Sequence, residues 1–349
     1  MQRIFDGHND TLLRLWRSDD LNGETFFSGS DDGHIDLPRA RAGGFCGGFF
    51  AVYVPGEMKR IDIPDRDTGE VIDLAYIGPV DALAARRATL EIASILFRME
   101  RARPDAIRIC RSAADIEAAK TAGAIAAVFH IEGAEAIGPD LAELDVLHAA
   151  GLRSLGPVWS RPNIFGYGAP FRFPGSPDDG PGLTAAGFEL VKACNALNIL
   201  VDLSHLNEKG FWDVAKTTDS PLVATHSNVH AISPSARNLT DKQLDAIAES
   251  GGVVGLNYAT AFLRDDGRNM SDTPLTFAIR HLECLVEKLG EDGVALGSDF
   301  DGALMPRDIS DAAGLPNLVQ AMADASFGDA LIDKICWGNW VSVLRRTIG

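Results

Sequence analysis

Apolar and polar residues follow two rhythms along this chain. Short, β-rich apolar runs fall at 3–8 (RIFDGH), 45–53 (FCGGFFAVY), 124–131 (AIAAVFHI), 152–157 (LRSLGP), 198–204 (NILVDLS), 221–226 (PLVATH), 252–257 (GVVGLN) and 293–299 (GVALGSD). Between them, 183–197, 240–249 and 275–289 carry apolar residues at helical spacing, and 79–101 also reads as a helix. Thr240 with Gln243 forms a capping-box signature at the start of the second of these helices. Eight strands alternating with helices predict a single TIM-type (β/α)8 barrel over residues 1–349 rather than an open doubly wound sheet. No linker or internal repeat divides the chain. Two long loops, 54–78 and 160–182, interrupt the alternation. In a barrel such loops follow the carboxyl ends of strands, where they can roof an active site.

The acid and imidazole side chains sharpen this picture. His8 and Asp10 stand two apart at the end of the first predicted strand, on one face. Glu132 follows the third strand, His205 the fifth, His226 the sixth, and Asp299 ends the eighth. Six potential ligands thus converge on the carboxyl mouth. Three imidazoles with carboxylates suit borderline-soft divalent cations, zinc first. Glu132, on a different strand from both ligand sets, is placed to bridge a pair of them. Taken singly, each residue is more ordinary: a lone histidine is usually a satisfied core or surface residue, and the HxD pattern recurs at His34–Asp36 in a predicted loop. Joint placement carries the reading. His34 is expected at the surface or just behind the site, and His130, His148, His230 and His281 are assigned structural roles.

Composition narrows the partners. Lys+Arg total 32 and Asp+Glu 49, a net charge of −17. Nucleic acid and anionic membranes both require a basic face, so neither is expected as a partner. Five scattered cysteines without a CxxC pair argue for reduced thiols. With no signal-like apolar run and no hydrophobic span, a soluble cytoplasmic protein is expected. HExxH, Walker and GxSxG motifs are absent, and the glycines of GGFCGG (43–48) read as close-approach positions in a strand.

Six separated motifs then agree with one family. DGHND (6–10), HIEG (130–133), DLSH (202–205), THS (225–227), ARN (236–238) and GSDFDG (297–302) resemble the membrane (renal) dipeptidases in order and spacing, as does GNW (338–340). The resemblance implies a dipeptidase with two zinc ions, His8 and Asp10 on one, His205 and His226 on the other, and Glu132 bridging. It implies Asp299 as general base or proton shuttle and Arg237, eleven residues after His226, as the clamp for the substrate's free carboxylate. It also implies tolerance of a D residue at the carboxyl-terminal position. The chemistry is consistent, because paired cations activate water and polarise a carbonyl, while a guanidinium grips a carboxylate in bidentate fashion.

One position departs from the pattern. The family's mammalian members place a substrate-binding histidine just after the fourth strand, and the aligned residue here is Trp159. An indole N–H only donates and does not titrate. Trp159 is therefore a candidate substrate donor or a packing residue, with Arg161 and Tyr167 as other donors on that loop. The competing readings are a different binuclear amidohydrolase, acting on another amide, lactone or ester, and a catalytically inert metal-binding scaffold. The bridging Glu132 and the retained ligands favour the dipeptidase, and a homodimer is compatible with it.

Overall fold

A computed structural model describes residues 1–56, 67–74 and 76–349. Among these residues nine parallel strands form the sheet: β1 (Ile4–Asn9), β2 (Phe45–Tyr53), β3 (Ile107–Ile109), β4 (Ile125–Glu132), β5 (Leu152–Gly156), β6 (Leu200–Val201), β7 (Val223–Ala224), β8 (Val253–Leu256) and β9 (Val294–Leu296). The order β6-β5-β4-β2-β1-β9-β8-β7 runs around a barrel, and a single Asp202–Val223 bridge links its two ends. This is the eight-stranded barrel expected from the alternating pattern. Strand β3 is an addition. It pairs only with β4, outside the ring, and its three residues are too short to carry a readable periodicity. Strands β6 and β7 are two residues each, shorter than their apolar runs, because the chain leaves the ladder early to deliver the loops of the mouth.

Strand β4 explains how the barrel sorts its side chains. Ile125, Ala127, Phe129 and Ile131 face outward into the apolar layer beneath the helices, whereas Ala126 and Val128 face the interior. Successive residues point to opposite faces of a strand. His130 and Glu132 continue the inward row, so that row turns from apolar to ionisable as it rises. The floor is plugged by aromatic side chains: Phe49 meets Phe5 and Trp340 edge-on at 5.8 and 5.1 Å. Trp340 comes from the last helix, Asn339–Thr347, and its Nε1 donates to Leu296 O at 2.8 Å.

The helices are fixed by local signals. Ser112 accepts from the Asp115 amide, and Thr184 from that of Gly187. Gln243 Oε1 accepts from the Thr240 amide at 2.9 Å, completing the back-bond of the capping box. The helix expected at 79–101 spans Ala82–Ala102. Within the first long loop, 57–66 and 75 lie outside the described residues. Its remainder bridges Val71 to Arg268 and Leu74 to Phe171. Among the described residues no helix is long and apolar enough to cross a membrane.

Candidate metal centre

His8 lies within β1, where the β1–β2 register shifts between Asp6 and Asn9. Such an irregularity re-aims side chains. Asp10 follows the strand directly. The loop after β9 is tied to it by two backbone bonds, Asp299 N to His8 O at 3.0 Å and Asp10 N to Phe300 O at 2.8 Å. Asp299 therefore stands beside His8 and Asp10, although it lies three residues beyond the last residue of β9. His205 and His226 enter from the segments after β6 and β7. His205, Asp299 and Asp301 all take left-handed backbone angles, with φ of 68°, 63° and 65°. Such conformations cost on the order of 1–3 kcal/mol each and persist only where the surroundings impose them. Gly302 has to be glycine for a related reason, since a Cβ there would collide with Asp10 Oδ2 and Asp299 Oδ1.

These side chains converge on one carboxylate oxygen. Glu132 Oε1 lies 2.9 Å from His205 Nε2, 3.5 Å from His226 Nε2 and 3.7 Å from His8 Nε2. His8 Nε2 is 3.4 Å from Asp10 Oδ2. Two overlapping ligand groups result, His8–Glu132–His226 and His8–Asp10–Asp299, each with its donor atoms within 4.8 Å of one another.

Hydrogen bonds behind the imidazoles assign their tautomers. Thr225 Oγ1 has one proton, and it lies 2.6 Å from Asp202 Oδ2, an acceptor. It therefore accepts from His226 Nδ1, 2.8 Å away. Ser160 Oγ is likewise 2.8 Å from His205 Nδ1, while Arg237 Nη2 donates to His205 Nε2 at 3.2 Å. Both Nε2 atoms then carry lone pairs, yet they lie 3.1 Å apart and face a carboxylate. No proton lies between them to make that contact favourable. His8 is equally unusual, because neither of its buried ring nitrogens has a hydrogen-bond partner among the described residues. Imidazole lone pairs and buried carboxylates clustered this closely, with Arg237 Nη2 reaching only His205 among them, suit a divalent cation, so the residues fit the group.

Burial sets the charges. It pushes the Glu132 carboxyl well above its ordinary range, against the pull of His8. His8 is pushed down by burial but is carried up to about 10 by Glu132 and Asp10. Burial and the Arg237 charge hold His205 well below the usual imidazole value, and burial with the neighbouring His8 charge does the same for His226. Burial also raises Asp299. Cations would replace the shared protons and relieve the conflict.

Other candidates separate by their contacts. Asp301 is engaged by Arg14 Nε at 3.2 Å, Thr11 Oγ1 at 3.0 Å and the His34 amide at 2.6 Å, so its carboxylate is already used. Asp299 accepts from Asn257 Nδ2 at 2.9 Å through Oδ2, and its Oδ1 makes no hydrogen bond to the described residues. Arg237 is buried, with its guanidinium 5.5 Å from the Phe262 ring and its Nε unpartnered among the described residues. Trp159 lines the cleft above the cluster, 5.7 Å from the His205 ring. Arg161 is committed elsewhere, to Glu135 at 2.7 Å, Val54 O at 2.7 Å and the Tyr53 hydroxyl at 3.3 Å. Tyr167 belongs to a neighbouring groove rather than to this cleft. Sequence reasoning set His130 aside, yet its ring meets that of His8 at 5.6 Å, and burial lowers it to about 3. It also passed over Asp202, Thr225 and Ser160. The signal for the first was available in DLSH, which places Asp202 three residues before His205.

The cleft above the cluster opens to solvent and is lined by Asp10, Glu132, Trp159, His205, Phe262 and Asp299. Comparisons with known proteins agree with the chemistry of its floor. The model of the membrane dipeptidase family, peptidase family M19, matches residues 1–348. A crystal structure described as dipeptidase AC, a metallopeptidase of family M19, is 50% identical with a TM-score of 0.94, covering 100% of this chain and 99% of its own. A metallopeptidase from Rhodobacter sphaeroides, liganded with a phosphinate mimic of the dipeptide L-Ala-D-Ala, is also 50% identical, with a TM-score of 0.95 and 99% of each chain covered. A protein from the pqqA 5′ region of Klebsiella pneumoniae is 53% identical over 240 residues, 69% of this chain and 89% of its own. The chain belongs to the membrane dipeptidase family, peptidase family M19, and is a metallopeptidase of the dipeptidase type.

Proposed function

We propose that this enzyme hydrolyses dipeptides at a pair of divalent cations, zinc first, and accepts a D residue at the carboxyl-terminal position. The observation that carries the reading is the convergence of three imidazole Nε2 atoms on one oxygen of Glu132. His8 and Asp10 would hold one cation, His205 and His226 the other, with Glu132 between them. Bound there, the cations supply Lewis acidity toward water and the scissile carbonyl.

The remaining work falls to the chain. Asp299, held through Oδ2 by Asn257, has Oδ1 to take a proton from the attacking water and return it to the leaving amine. Arg237 would pair with the substrate's α-carboxylate through the edge that carries its unpartnered Nε. The Trp159 indole N–H would donate to the substrate from the wall. The D-residue tolerance draws support from the L-Ala-D-Ala mimic in the Rhodobacter sphaeroides relative.

A panel of L,L and L,D dipeptides with zinc-loaded protein tests this reading, alongside their carboxyl-amidated counterparts. Free dipeptides should be cleaved at least tenfold faster than amidated ones, the scale of a lost charge-assisted hydrogen bond. Metal analysis should give about two ions per chain. Equal rates on amidated substrates would remove the carboxylate clamp, and full activity at one ion per chain would remove the paired site.

A further inference from the structure

The cleft wall carries a cation to which the reading above gives no task. The helix Thr11–Arg17 begins directly after Asp10, and Leu13 and Arg17, four residues apart, both line the cleft. Leu13 is buried there and Arg17 is exposed. Arg14 of the same helix is consumed by Asp301 and by Ile35 O at 2.7 Å. Arg17 has no ion pair, hydrogen bond or ring contact among the described residues.

The lining of the cleft is two-sided. Tyr53, Trp159, Phe171 and Phe262 follow one another at centroid separations of 5.0, 5.3 and 6.0 Å, a continuous aromatic wall for an apolar side chain. Arg17 ends the helix that follows β1. Arg237 follows β7, three strands away around the barrel. With the α-carboxylate seated on Arg237, Arg17 therefore faces a different part of the substrate. An exposed guanidinium without a partner among the described residues, on an otherwise acidic protein, is suited to a second anionic group.

We propose that Arg17 is a specificity residue, selecting dipeptides that carry a side-chain carboxylate in addition to the α-carboxylate. The inference rests on the dipeptidase reading. A helix C-terminus also favours a basic residue through its dipole, but that role is indifferent to the substrate and would move none of the ratios below.

The test uses zinc-loaded wild type, Arg17→Gln and Arg17→Lys, with two isosteric substrate pairs, Glu-Ala against Gln-Ala and Ala-Glu against Ala-Gln. Wild type should favour the acid over the amide in one pair by about tenfold in kcat/KM, the scale of a hydrogen bond to a charged group. The pair in which this appears identifies the substrate residue that meets Arg17. Arg17→Gln should bring that ratio close to one, Arg17→Lys should keep part of it, and 0.5 M salt should lower it in wild type alone. A ratio near one in wild type for both pairs, or a ratio unchanged in Arg17→Gln, overturns the proposal. An equal fall on all four substrates also overturns it and assigns Arg17 to the α-carboxylate. Failure to cleave any dipeptide sinks the dipeptidase reading as well, whereas cleavage with a flat ratio sinks this inference alone.

Discussion

The floor and the mouth of the barrel are built from the same strands by opposite rules. At the floor Phe5, Phe49 and Trp340 are fully buried, meet edge to face, and leave the indole N–H bonded to Leu296 O. Every preference there is satisfied. At the mouth, four residues beyond Val128, the β4 partner of Phe49, a buried carboxylate meets lone pairs, His8 has two nitrogens unpartnered among the described residues, and His205 and Asp299 hold left-handed backbones. The floor stabilises, and the mouth stores conflict that ligands are placed to resolve. Unsatisfied groups and strain concentrated at one end of a fold mark that end as functional.

Removing the centre of the conflict should have the largest consequence. Glu132→Gln should lower kcat on the order of 10³-fold or more, beyond the 10–100-fold typical for partners of metal ligands, with bound metal falling in parallel. Its metal-free melting temperature should barely move, because the buried carboxylate is gone and His8 can release its proton. If the metal-free variant unfolds as readily as a floor variant, the contrast between the two regions is wrong.

At the floor the balance reverses. Phe49→Ala should cost about 3–5 kcal/mol of stability, measured by denaturant unfolding, through lost burial and a cavity. The folded fraction should keep its metal content. Loss of metal from chains that remain folded would mean that the floor also tunes the site.

Within the mouth, Asp299 and Asp301 separate the two behaviours two residues apart. Asp299→Asn should reduce kcat by about 10²-fold, the lower range for a general base. Asp301→Asn should cost mainly stability, by weakening its links to Arg14, Thr11 and His34. Kinetics in which Asp301→Asn is the damaging change would reverse the assignment.

The smallest effect tests a satisfied histidine outside the mouth. His281 accepts from the Val229 amide at 3.1 Å, its Nε2 is 3.0 Å from Leu263 O, and burial lowers its pKa to about 4. An unfolded imidazole binds its proton near 6.5, so between these values the unfolded chain holds more protons. This contribution is complete above about pH 6.5 and is lost as pH falls toward 4, at up to about 1.4 kcal/mol per pH unit. His281→Gln, which can still accept and donate, should flatten the slope by that amount over the same window. An unchanged difference between the two proteins from pH 7 to 4.5 would show that His281 does not titrate this way.

The amino-acid order determined a great deal. All eight runs taken as barrel strands became strands of the ring, because apolar periodicity reports which face is buried. The same order set Glu132 at the end of β4, since alternation along a strand leaves its inward face no other place. Strand β3 was illegible for want of length, and the supporting groups were illegible because nothing local distinguishes a serine or threonine behind a histidine from any other. Only the tertiary structure could distinguish the surroundings of Asp299 and Asp301, by bringing Arg14, Thr11 and His34 onto Asp301 and Asn257 onto Asp299 from distant segments. It alone committed Arg161 to Glu135 and left Arg17 in the cleft without a partner among the described residues. Sequence pattern fixes what is buried, because burial is periodic along an element. Which buried charge meets which partner is set by contacts between elements, and these have no period to read.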